Sequence, residues 1–82
     1  MKILYFSWLR ECIGVSFEEY STDQTTISGL IRELVNREPR YRKAFKNLTM
    51  VKVAIDQELV ADMETSIVGA HEIAFFPPMT GG

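Results

Sequence analysis

The sequence predicts a single α+β domain in which one amphipathic helix lies across a mixed sheet. Three observations lead there. Ile27, Leu30, Ile31, Leu34 and Val35 fall at i, i+3, i+4, i+7 and i+8, the stripe of a helix with one buried face. On either side of that stripe lie short runs rich in β-branched and aromatic residues, punctuated by Gly, Asp, Asn and Pro. The 82 residues, 46% apolar and 24% charged, suit one core, and they exclude an acidic disordered tail, a collagen-like chain and a low-complexity segment.

Lys2–Trp8 reads as the first strand, with Ile3, Tyr5 and Ser7 on one side and Leu4, Phe6 and Trp8 on the other. Cover on part of both faces predicts an interior position. Leu9–Gly14 reads as a turn and Val15–Ser21 as a second strand, closing a hairpin. Thr22–Thr26 is a polar run of capping residues that starts the helix. Burying the five stripe residues stabilises by roughly 7–15 kcal/mol, and fixing about ten backbones costs as much or more, so this helix must dock on the sheet. Gly29 inside it costs about 1 kcal/mol against alanine and is expected to mark close packing on a strand.

Pro39 opens a separate short segment because its ring forbids continuation of the preceding turn, and Tyr41 and Phe45 at i and i+4 are its expected anchors. Val51, Val53 and Ile55 alternate with Lys52 and Ala54 in a strand over Met50–Ile55. Asp56-Gln57 makes a turn, Glu58–Ala61 a short edge strand, Ile67 a buried plug before Gly69, and Glu72–Phe76 the last strand. This order, ββαβββ with a single long helix, fits the β-grasp, ubiquitin-like roll. Residues 1–76 then form the domain and residues 77–82 an extended C-terminal tail.

Charge is unevenly placed. Arg32–Lys46 holds six basic residues against Glu33 and Glu38, whereas Asp56, Glu58, Asp62, Glu64 and Glu72 follow Lys52 with no lysine or arginine among them. A partner gripping the C-terminal end should therefore offer Lys or Arg. The basic segment reads as a solvated helix face; the rival reading is a phosphate or RNA patch, but no aromatic ladder accompanies it.

Enzyme-like constellations are missing. There is no Ser, His and Asp set with suitable placement and no glycine-rich phosphate loop. Cys12 and His71 are each the sole residue of their type, too few for a four-ligand zinc site, so no metal is expected. Cys12 reads as a small apolar core residue and His71 as a strand-edge residue. The unpaired thiol points to the cytoplasm, and Arg10 and Glu11 interrupt the first apolar run before an export signal or membrane span is complete. A domain of this size buries only about two-thirds of its chain's surface, so chemistry is expected to be shared with a partner.

The unusual feature is Phe75-Phe76-Pro77-Pro78-Met79-Thr80-Gly81-Gly82. Two prolines remove two N–H donors, ending sheet pairing and projecting the last residues in extended form. Pro77 to Gly82 can reach on the order of 20 Å. Glycines without β-carbons fit a narrow channel, so the carboxyl of Gly82 is the expected functional group. Phe75 and Phe76 should point to opposite faces, one into the core and the other toward a partner, unless both are core.

Glu72-Ile73-Ala74-Phe75-Phe76-Pro77-Pro78 together with Gly81-Gly82 resembles the C-terminus of the molybdopterin synthase small subunits, ubiquitin-like sulfur carriers of molybdenum cofactor biosynthesis. Weaker agreement runs through Arg10-Glu11, the Thr26-Ile27, Leu30 and Leu34 pattern, and Val53-Ala54-Ile55 leading into Asp56-Gln57; Ala70-His71-Glu72 replaces the family's Gly-Asp-Glu turn. The resemblance implies that Gly82 is adenylated by an enzyme of the ubiquitin-activating type and converted to a thiocarboxylate by a sulfur donor. Sulfur would then pass to the cyclic pyranopterin precursor inside a large synthase subunit, in a heterotetramer. AMP and sulfur would be transient on Gly82, with no permanent cofactor. Gly81 would be the small neighbour needed for channel entry, and Pro77, Pro78, Met79 and Thr80 the threading tail. Arg10 and Glu11 are either large-subunit contacts or a solvated turn pair. A thiazole-pathway carrier or a protein modifier is the alternative within the same chemistry; nucleic acid and membrane are not expected partners.

Overall fold

The computed structural model describes residues 1–78, so the expectations on Met79, Thr80, Gly81 and Gly82 lie outside the described residues. The elements are β1 (Lys2–Tyr5), α1 (Trp8–Ile13), β2 (Phe17–Glu19), α2 (Ile27–Arg37), α3 (Pro39–Ala44), a 3-10 turn (Leu48–Met50), β3 (Lys52–Ile55), β4 (Glu58–Val60) and β5 (Glu72–Phe76). The five strands form one sheet in the order β2-β1-β5-β3-β4. β1 and β5 are parallel, and the other neighbours are antiparallel. This is the β-grasp plan, with β5 at the centre and α2 packed across one face.

α2 forms where its periodicity places it. Thr26, in extended conformation, accepts a hydrogen bond from the Gly29 amide at 3.0 Å and so caps the first turn. Ile27, Leu30, Ile31 and Leu34 are buried against the sheet residues Ile3, Tyr5, Val53, Ile73 and Phe75. Pro39 begins α3, and Tyr41 and Phe45 pin it into the same core. Ile67 is the expected plug, and Gly69 takes the left-handed φ of 80° at the turn before β5. Asp56 and Gln57, at φ 48° and 72°, form a two-residue hairpin between β3 and β4. Asp56 Oδ1 accepts the amides of His71 and Glu72, each at 2.9 Å, tying that hairpin to the start of β5.

Four expectations are corrected. β1 ends at Tyr5 rather than Trp8, and Leu9–Gly14 is helical rather than a turn, because Trp8, Leu9, Cys12 and Ile13 form a short apolar stripe that packs on the core. Gly14, at φ 95°, stops α1 with a bond from its amide to Arg10 O at 2.8 Å. The strand expected from Met50 begins at Lys52, after the 3-10 turn. Gly29 does not face a strand: a β-carbon there would meet the side chain of Gln24, from the loop before α2.

Candidate functional site

The site is assembled around the end of β5. Phe75 and Phe76 do face opposite ways. Phe75 is fully buried, stacked on Tyr5 at 6.1 Å between ring centroids and meeting Phe45 edge-on at 4.9 Å. Phe76 is half-buried on the face of the sheet that no helix covers, followed by the half-buried Pro77 and Pro78. Two hollows meet at Phe76. One, of about 470 Å3, is lined by Phe6, Ser7, Ala74, Phe76, Pro77 and Pro78. The other, of about 350 Å3, is lined by Lys52, Leu59, Val60, Ala61 and Phe76.

Strand register explains why these residues converge. Leu4 pairs with both Phe17 and Ala74, Ala74 with Ala54, and Ala54 with Leu59, so one apolar row crosses all five strands on the open face. Its ends are large and its middle is small, which leaves a trough floored by alanines. Phe17 is 52% exposed, Leu59 70% and Phe6 47%, an apolar surface that a lone domain has no reason to keep wet. The sequence reading missed this row because its residues are scattered from Leu4 to Ala74. The available signal was period-2 alternation in each strand, which becomes a continuous surface only once the strands are aligned.

Phe6 is displayed by a tight turn. Ser7 adopts φ 58° and ψ −133°, and the Leu9 amide donates to Phe6 O at 3.2 Å, so the chain leaves the sheet immediately after Phe6. A non-glycine residue in that conformation is strained. Arg10 and Glu11 lie exposed on the following helix and line neither hollow. Cys12 is half-buried against the core, and His71 is exposed at the start of β5. Among the described residues no cluster of three or more His, Cys, Asp or Glu could hold a metal ion, and no helix is long and apolar enough to cross a membrane.

A polar network lies on the helix side of β2. Glu18 Oε2 accepts the hydroxyls of Tyr5 at 2.8 Å and Tyr41 at 2.6 Å, while Arg37 Nη1 stands 3.8 Å from Oε1. Arg40 donates to Ile13 O at 2.7 Å and to the Tyr41 hydroxyl at 3.2 Å. Burial, reinforced by hydrogen bonding to Glu18, holds both tyrosines above the usual phenol range. Arg37 and Arg40 are therefore structural, which leaves Arg32, Arg42, Lys43 and Lys46 as the exposed or outward part of the basic segment.

The fold and the central strand leading to Pro77-Pro78 define a ubiquitin-like β-grasp domain. The chain belongs to the ThiS family, whose sequence profile matches residues 3–82. It is 30% identical over 82 residues to the molybdopterin synthase sulfur carrier subunit of Escherichia coli, covering all of this chain and 99% of that one. The Haemophilus influenzae protein of the same name is 33% identical over 82 residues, with the same coverage. Among solved structures, small archaeal modifier protein 1 of Haloferax volcanii superposes with a TM-score of 0.73 at 22% identity, covering 96% of this chain and 97% of that one. A putative molybdopterin converting factor subunit 1 of Pyrococcus furiosus gives 0.68 at 22%, covering 95% of each. Those structures support the fold.

Proposed function

We propose that this chain is the sulfur-carrying small subunit of a molybdopterin synthase, with the carboxyl of Gly82 as its working group. The observation that carries this reading is the match to two sulfur carrier subunits along the whole chain, through Phe75-Phe76-Pro77-Pro78 to Gly81-Gly82. A carboxylate is a poor electrophile. Reaction with ATP on an adenylating enzyme of the ubiquitin-activating type would form the acyl-adenylate and release pyrophosphate. Sulfide from a donor then attacks the acyl carbon, AMP leaves, and a thiocarboxylate remains. The thiocarboxylate sulfur bonds to the pyranopterin precursor as a thioester, and water then cleaves the acyl–sulfur bond to leave the thiolate on the pterin and return the carboxylate, so a dithiolene consumes two charged carriers.

The globular body delivers this group. Pro77–Thr80 thread the large subunit, Gly81 passes its narrowest point, and the apolar row with Phe6 and Phe76 docks the body against the partner, with Arg10 and Glu11 available at the rim. The single half-buried thiol of Cys12 suits a reducing cytoplasm. Intact mass after incubation with ATP, an activating enzyme and sulfide tests the reading: wild type should gain the mass of one sulfur replacing one oxygen. Gly82→Ala, or a residue added after Gly82, should fold normally and gain nothing; a gain in the extended chain overturns the assignment.

A further inference from the structure

We propose that the outer edge of β4 is a docking site for an extended, lysine- or arginine-bearing segment of a partner protein, which joins the sheet as a further strand. This inference rests on the fold and charge of the domain, and on the open face it shares Leu59 and Phe76 with the surface that the proposed function assigns to the large subunit. β4 pairs only with β3, and among the described residues no other element hydrogen-bonds to its backbone. An exposed edge is ordinarily blunted by a lysine, a proline, a bulge or an inward charge. β4 has no lysine, proline, bulge or inward charge, and its protection is limited to its three-residue length and the exposed carboxylate of Glu58, which a cationic strand would pair with. At its middle stands Leu59, 70% exposed.

Two hollows flank this edge, one on each face of the sheet. On the open face is the 350 Å3 hollow containing Leu59 and Phe76. On the helix side a hollow of about 430 Å3 opens between β4 and the 3-10 turn, lined by Leu48, Val51, Val53, Val60 and Met63 among others. Side chains of an added strand alternate between faces, so consecutive residues would enter one hollow and then the other. Backbone pairing and side-chain burial would thus be satisfied in the same register. Charge selects the occupant: Glu58, Asp62 and Glu64 are exposed around the edge, against Lys52 on the hollow walls. The arriving strand should be cationic.

The test titrates the isotope-labelled full chain with a capped hexapeptide alternating Lys and Val, and follows amide shifts and hydrogen exchange. The expected result is shifts and slowed exchange centred on Glu58–Val60. Methylating alternate peptide amides on one edge, then on the other, should weaken binding at least tenfold for one of the two. A Glu-Val peptide should not bind, and Glu58→Lys with Glu64→Lys, both surface changes, should lose the Lys-Val peptide. Absence of binding at millimolar peptide, shifts centred on β2, or equal binding of both methylated peptides would overturn the proposal. Thiocarboxylate formation is scored separately, so either reading can fail alone.

Discussion

The two edges of the sheet are built on opposite plans. β2 turns a carboxylate inward, where Glu18 gathers the hydroxyls of Tyr5 and Tyr41 and faces Arg37, while Lys2 lies 4.8 Å from the Phe17 ring on the other side. β4, equally short, carries the exposed Leu59 and no comparable network. An inward charge is costly to strip of its partners and fixes β2 to α3, whereas an apolar edge gains only when something covers it. Folding specificity is thus concentrated at β2, which still exposes Phe17 on its open face, whereas β4 offers an apolar edge with no network behind it, with β5 between them.

The largest effect should come from breaking the β2 network. Glu18→Ala strands two tyrosine hydroxyls in the interior and should destabilise by about 2–5 kcal/mol, read by urea denaturation. Tyr5→Phe, which removes a single donor, should cost only about 1 kcal/mol. A destabilisation for Glu18→Ala no larger than this would show that the network does not hold the edge.

Alkaline titration sharpens the same contrast. Tyr5 and Tyr41 have raised folded values, so the fold favours the neutral phenol. Their contribution is complete below the unfolded value of about 10 and is lost as pH climbs beyond it toward the folded values. Stability should fall steeply above about pH 10, and the slope should be shallower in Tyr5→Phe. Burial and the neighbouring Glu33 carboxylate hold Tyr20 above the ordinary phenol range too, so phenolate absorbance of the folded protein should lag behind that of the unfolded chain as pH rises.

Away from both edges, Gly29→Ala should change stability by less than the helix-propensity gain of about 1 kcal/mol, read by urea denaturation, because the new β-carbon would crowd both the Gln24 amide and, at 3.3 Å, the Gln24 β-carbon, which cannot swing aside. The smallest change in stability belongs to Leu59→Ser, within about 0.5 kcal/mol by thermal melting. The same variant should nonetheless weaken association with the large subunit, measured by calorimetry; unchanged affinity would remove Leu59 from the docking surface.

Periodic signals were legible. The stripe from Ile27 to Leu34, the Pro39 break and the bounds Glu72–Phe76 all appear as expected, because burial on one face imposes a period that local sequence records. The misread stretch from Ser7 to Gly14 depends on a backbone torsion at Ser7 that no side chain announces, and its four packed residues are too few to outvote their strand-like character. Glu18 and the row from Phe17 to Leu59 depend on which strands become neighbours. That information is long-range and invisible to a local reading. At the site, the opposed placement of Phe75 and Phe76 followed from alternation alone.

β5 is hydrogen-bonded along its length to β1 on one side and β3 on the other, and the chain beyond Phe76 continues from this innermost strand. Traction on the C-terminal end therefore loads two ladders in shear, so their bonds must rupture together instead of peeling one by one from a margin. A pull on that end is thus resisted by the whole sheet, which is the mechanical demand that the proposed carrier cycle of insertion and withdrawal would make.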